Sequence, residues 1–140
     1  MSINAMTKPI GAHQITVDGD TIHLVVRGDF LLEDAKQVNA EVEAVLYGLG
    51  RAFILADQSS ARATPPDARR YLVDWSRKHR VSAAVMFGGS VATRTVATLI
   101  LTALRIFKAD SVPTCFTATE AEARAWLTVQ REKLLSQPSE

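Results

Sequence analysis

Asp57, Ser59 and Ser60 follow directly on the apolar run Phe53-Ile54-Leu55-Ala56, so an acid and two hydroxyls stand where a buried strand ends. Open α/β sheets bind ligands at that end of their strands. A serine nucleophile would need a base, and His79 is the histidine that follows. It lies at a helix end among Arg77, Lys78 and Arg80, where a cation suits the helix dipole. No Gly-x-Ser-x-Gly elbow exposes either hydroxyl. The residues therefore assign no catalytic group, and a hydrolase is the third reading of this chain. Two readings of Asp57, Ser59 and Ser60 remain open: the polar part of a ligand or partner surface, or caps on loop amides.

A second constellation is Gly88-Gly89-Ser90, with Arg94 one turn further on. Free amides at a helix start attract anions. The Gly-Lys-Ser/Thr ending of a P-loop is missing, so Ser90 reads first as an N-cap. His13, His23 and Cys115 lack the close spacing of a metal site, and no metal or other cofactor is expected. Arg69, Arg70, Arg77, Lys78 and Arg80 make a basic stretch that reads as a solvated face or as a contact for an acidic group.

The balance of charge narrows the partners. Hydrophobic residues make up 47% and charged residues 22%, with a net charge of +1, so nothing resembles a nucleic-acid footprint. Cys115 is the single cysteine, which excludes an intrachain disulfide and makes the reducing cytoplasm the expected compartment. Met1 to Ala12 holds no apolar core of signal-peptide length. The longest apolar region, Val91 to Phe107, is interrupted by Arg94 and Arg105 and falls short of the ~20 residues of a membrane span.

The elements that would hold these residues follow from periodicity. Gln14–Val17 and Thr21–Arg27 flank Asp18-Gly19-Asp20, a strong hairpin signal. Ala35, Val38, Val42, Val45, Leu46 and Leu49 recur at helical spacing over Leu32 to Tyr47, and Gly48 and Gly50 mark its stop. A strand over Ala52–Ala56 precedes a helix starting near Pro66, which buries Ala68, Tyr71, Leu72 and Trp75. Ser82–Phe87 reads as a strand, as does Thr114–Thr117, and Thr119 with Glu122 opens a last helix as a capping box. The expectation is one α/β domain over residues 13–136, with a five-stranded, mostly parallel sheet in the order β-β-α-β-α-β-α-β-α. Its first strand is antiparallel, and residues 1–12 and 137–140 are loose ends.

The helix beginning at Ser90 is apolar on nearly every side, with Leu99, Ile100, Leu104 and Phe107 loading different faces. Three coverings fit: a homodimer interface, an apolar ligand cavity, or burial within the domain.

The order of elements, with particular residues, resembles the SpoIIAA-like superfamily. That superfamily includes anti-sigma-factor antagonists and STAS domains, and a bacterial subgroup labelled STAS/SEC14-type. The carrying residues are Gly28 with Glu33-Asp34-Ala35, Leu55-Ala56-Asp57-Gln58-Ser59, Ala68-Arg69-Arg70, and Thr119-Glu120-Ala121-Glu122-Ala123 with Trp126. They span roughly His13 to Arg131. The antagonists carry Asp-Ser-Ser-Gly at the second helix start, with a serine phosphorylated by a partner kinase. Here that region reads Ala63-Thr64-Pro65-Pro66-Asp67, so the phosphoswitch is not carried over. The resemblance implies a non-catalytic module that binds a regulatory protein partner or an apolar or anionic small ligand. Asp57, Ser59 and Ser60 would form its polar edge, and Ser90 and Arg94 would contact an anion. The SEC14 label supplies the alternative, a carrier of lipid or another apolar ligand, by fold analogy alone.

Overall fold

The computed structural model describes residues 5–95, 98, 99, 102 and 112–136. Six strands form one sheet in chain order: β1 (Met6–Ile10), β2 (His13–Asp18), β3 (Thr21–Gly28), β4 (Phe53–Ala61), β5 (Ala83–Phe87) and β6 (Thr114–Thr117). β1–β2 and β2–β3 are antiparallel, and the three pairings from β3 to β6 are parallel. The helices are α1 (Leu32–Leu49), α2 (Pro66–Lys78) and α3 (Glu120–Ser136), and residues 91–95 are also helical.

The hairpin at Asp18-Gly19-Asp20 forms as its sequence predicts, with Gly19 at φ +61°. The sheet has six strands where periodicity predicts five. The added strand, Met6–Ile10, lies in a segment read from the sequence as a loose end, and it pairs residue by residue with Ile10↔His13 through Met6↔Val17. Only Ile10 of the five is buried, so no apolar alternation announces the strand; backbone pairing alone makes it. Pro9 and Lys8 suit the sheet edge, where a missing N–H and a charge discourage further pairing.

The sheet separates two cores. On one face Ile15, Ile22, Leu24 and Val26 pack against Ala35, Val38, Val42 and Val45 of α1 and Trp75 of α2. On the other, Phe53, Leu55, Val85 and Phe87 pack against Ala123 and Leu127 of α3. Alternate residues of β4 feed opposite faces, as the pleat requires. α1 ends at Gly50, at φ +75°, whose N–H donates to the Leu46 carbonyl at 2.8 Å. Leu49, in the predicted apolar face, is exposed instead, since it lies in the last turn beyond the sheet's cover. The capping box predicted for α3 forms in half: the Glu122 N–H donates to Thr119 Oγ1 at 3.2 Å, but the Glu122 carboxylate accepts the Thr119 hydroxyl, at 3.0 Å, in place of the Thr119 backbone N–H.

One polar group is built into the first core. His13 is 2% exposed. Its Nδ1 accepts the Arg27 N–H at 2.9 Å, which leaves the ring proton on Nε2, 3.1 Å from both Asp34 Oδ2 and the Asp29 carbonyl. Asp34 also accepts the Leu31 N–H at 3.0 Å, so one carboxylate ties β2 to the start of α1.

Candidate functional site

Asp57, Ser59 and Ser60 lie inside β4, not in a loop beyond a strand ending at Ala56. The correction has a simple cause. β3 continues to Gly28 and offers backbone partners for Asp57, Ser60 and Ala61. Between the pairs Val25↔Asp57 and Arg27↔Ser60, β4 spends two residues against one on β3. Gln58 and Ser59 therefore form a bulge, a device that re-aims side chains at the end of a strand. Asp57 Oδ1 accepts the Ser59 N–H at 2.9 Å and so satisfies an amide of the bulge. That is the capping role one of the two sequence readings gave it. Ser59 and Ser60 are left exposed.

The loop after β5 closes on this bulge. Gly88 and Gly89 take φ of +70° and +86°. A Cβ on Gly88 would lie 2.4 Å from Ser59 Oγ and 3.2 Å from its Cα and N, and one on Gly89 would lie 3.0 Å from Gln58 Cβ. Both glycines are thus required by close approach as well as by conformation. Ser90 then caps the helical turn, with its Oγ accepting the Thr93 N–H at 3.2 Å and its carbonyl the Arg94 N–H at 3.1 Å. The structure therefore brings Asp57, Ser59, Ser60 and Ser90 to one rim, at the carboxyl ends of β4 and β5, and Arg94 stands exposed one turn into the helix. Leu99 is 59% exposed. Ile100, Leu104 and Phe107, the other residues of the predicted interface or apolar cavity, lie outside the described residues.

His79 is not at this rim. α2 runs back along the sheet, and His79 ends it at the opposite end from Ser59. There it stacks on Trp75 (4.5 Å between ring centroids), its Nε2 contacts Glu43 Oε1 at 2.7 Å, and its Nδ1 lies 3.1 Å from the Trp75 carbonyl. The imagined Ser–His–Asp set is therefore not assembled, because hydrolysis needs base and nucleophile within hydrogen-bond reach. Among the described residues no group of three or more His, Cys, Asp or Glu side chains is placed to hold a metal ion, and no helix is long and apolar enough to cross a membrane.

Two features were not signalled by sequence. The first is a cleft of about 130 Å³ on the α1–α2 side of the rim, floored by Leu24, Val26 and Met86 and walled by Phe30 and Leu72. Gln58, Arg62, Thr64 and Thr93 edge it. Its wall is held by backbone bonds from Phe30 N to the Ala63 carbonyl and from Arg62 N to the Gly28 carbonyl, at 2.8 and 2.9 Å. The second is His23, on the other face of β3. Its Nε2 is buried without a hydrogen-bond partner. Burial holds its pKa below the usual imidazole value; Glu120 and Asp57 work against that shift and Arg124 works with it.

No protein-family model matches the chain, and neither does any curated protein. Solved structures do. The anti-sigma factor antagonist SpoIIAA in its unphosphorylated form superposes with a TM-score of 0.56 at 13% identity, covering 89% of this chain and 97% of its own. A DUF3478-family protein with a SpoIIAA-like fold from Shewanella loihica PV-4 superposes with a TM-score of 0.58 at 18% identity, covering 91% and 98%. These matches show that the fold is SpoIIAA-like, a mostly parallel α/β sheet with antiparallel first strands, as the sequence resemblance implied.

Proposed function

We propose that this SpoIIAA-like chain is a non-catalytic protein-interaction module of regulatory type, and that its partner surface is the rim built from Asp57, Ser59, Ser60, Ser90 and Arg94. The observation that carries the reading is the bulge in β4. It gives up local backbone pairing to set two adjacent serines on the surface, and the glycine loop packs against it so closely that a Cβ on either glycine would crowd Ser59 or Gln58. A closely packed polar ridge beside exposed arginines suits recognition of another surface better than chemistry, since Asp57 is already bonded to a bulge amide and His79 is at the other end of the sheet. The similarity to an anti-sigma factor antagonist supports a protein as the partner.

The carrier alternative finds less support. The cleft beside the rim, at about 130 Å³, is well below the roughly 300–1,000 Å³ of ordinary ligand pockets. It suits one side chain better than a lipid chain.

A photo-crosslinking amino acid at Ser60, with a second at Leu135 on α3 as the control, tests the module. Ser60 should crosslink one protein from the source cells that Leu135 does not. That protein, once purified, should bind Ser60→Arg and Arg94→Glu at least about tenfold more weakly than the parent chain. Equal binding by both variants would overturn the assignment of the surface.

A further inference from the structure

We infer that the cleft beneath the rim is an anchor socket for one bulky apolar side chain, Phe- or Leu-sized, of a partner segment that carries acidic residues on either side. The inference rests on the protein-interaction reading of the rim and adds the chemistry of what is recognised.

Size sets the anchor. A cavity of about 150 Å³ lined by apolar side chains holds a benzene ring. This one, about 130 Å³, has a floor of Leu24, Val26 and Met86 and opens to the surface. An interface residue inserted there would be fully desolvated, which is the setting of binding hot spots.

Charge sets the flanks. Arg62 lines the cleft, and Arg94 follows Thr93, which also lines it. Neither guanidinium has an ion-pair partner among the described residues. The carboxylates at this end are committed to backbone N–H groups: Asp29 to Ala63 at 3.1 Å, Asp57 to Ser59 at 2.9 Å and Asp67 to Ala68 at 2.7 Å. Arg69 is committed too, donating from Nη1 to the Thr64 carbonyl at 2.8 Å. What remains at the mouth is a pair of guanidinium groups without ion pairs beside an apolar hole, near three carboxylates that keep their charge but each hold a backbone N–H, and Arg offers bidentate hydrogen bonding to carboxylates. The larger groove between β1 and α1, about 410 Å³, lacks this character: at its edge Lys8 is already paired with Glu41 at 2.7 Å.

Fluorescein-labelled peptides of the form Glu-Asp-Xaa-Glu-Asp, read by anisotropy, test the inference on the full chain. With Xaa as Phe or Leu, binding should be at least about tenfold tighter than with Ala or Ser, as burial of a large apolar side chain predicts. Binding should weaken as salt is raised. Met86→Phe should fill the cleft and remove the preference for a large Xaa. Because that site is half-buried, Arg62→Glu provides a surface change that leaves the core alone: it should weaken the acidic peptides about tenfold and favour versions flanked by Lys. Affinity indifferent to Xaa, or no binding by any peptide at millimolar concentration, would overturn the socket. If the protein crosslinked from Ser60 binds Met86→Phe unchanged, the socket falls and the rim stands; if Ser60 captures no partner, the rim falls whatever the peptides show.

Discussion

The imidazole of His13 and the carboxylate of Asp34 meet at 3.1 Å in the sealed seam between β2 and the first turn of α1. The ring bridges three segments, since it also accepts from Arg27 and contacts the Asp29 carbonyl. His13→Phe keeps much of the ring's bulk and leaves those groups unmatched. It should destabilise the fold by about 2–3 kcal/mol in urea denaturation. Paired with Asp34→Ala, the two losses should fall short of additive by about 1 kcal/mol. Full additivity would mean the two groups act separately.

Gly88 and Gly19 share a positive φ but differ in surroundings. A Cβ on Gly19 meets nothing within 4 Å, whereas one on Gly88 meets Ser59. Gly19→Ala should therefore show the conformational cost alone, about 1 kcal/mol. Gly88→Ala should cost at least about 1 kcal/mol more, because the Ser59 backbone must shift. Adding Ser59→Ala should recover only part, as the contacts to Cα and N remain. Equal midpoints for the two glycine variants would show that the loop yields freely.

Asp20 predicts an acid limb in the stability profile. Burial pushes its carboxyl pKa up, but the hydrogen bonds and charges of Arg131 and Arg51 outweigh this and hold it below the ordinary value. The unfolded chain then takes up the proton first. The contribution is complete above the unfolded value of about 3.9 and disappears as pH falls through the lower folded value. Asp20→Asn should cost about 1 kcal/mol at neutral pH, since both arginines are partly exposed. That gap should close as denaturation curves are taken to pH values well below 4, and a constant gap would refute the pairing.

His23 predicts a slope at milder pH. With burial holding its folded pKa below the unfolded value of about 6.5, protonation favours the unfolded chain. Stability should fall as pH drops from 7.5 to 5.5. His23→Asn should flatten that segment, and Glu120→Gln should steepen it by removing an acid that favours the charged ring. A His23 proton titration by NMR gives the same quantity directly.

Several parts of this fold were legible because local chemistry decides them. Asp18-Gly19-Asp20 fixes its hairpin, Gly50 ends α1, and Thr119 with Glu122 starts α3. β1 was not legible, because Met6–Ile10 pairs through its backbone and buries one side chain. The length of β4 was misjudged for a related reason: Asp57 to Ser60 pass beyond the helices that demand apolar residues, yet β3 still offers them a partner. The site was half legible. Asp57, Ser59, Ser60 and Ser90 could be named from one stretch and one cap. The cleft could not, since Leu24, Phe30, Arg62, Met86 and Thr93 come together only through the sheet. His13 looked like any hairpin histidine until its partners on β3 and α1 were in place.

The sheet's strand order, identical to its chain order, bears on how the molecule is made. Each strand from β2 to β6 adds beside one already laid down, so a chain emerging from its N-terminus can extend the sheet in a single direction. The exception is α3, which reaches back across the molecule: Arg131 lies 4.6 Å from the centre of the Phe53 ring and donates to Asp20, 111 positions earlier, at 2.8 Å. Until that latch closes, Phe53, Leu55 and Val85 lack the cover that Ala123 and Leu127 give them. Docking of α3 is thus the long-range step that shields this apolar face.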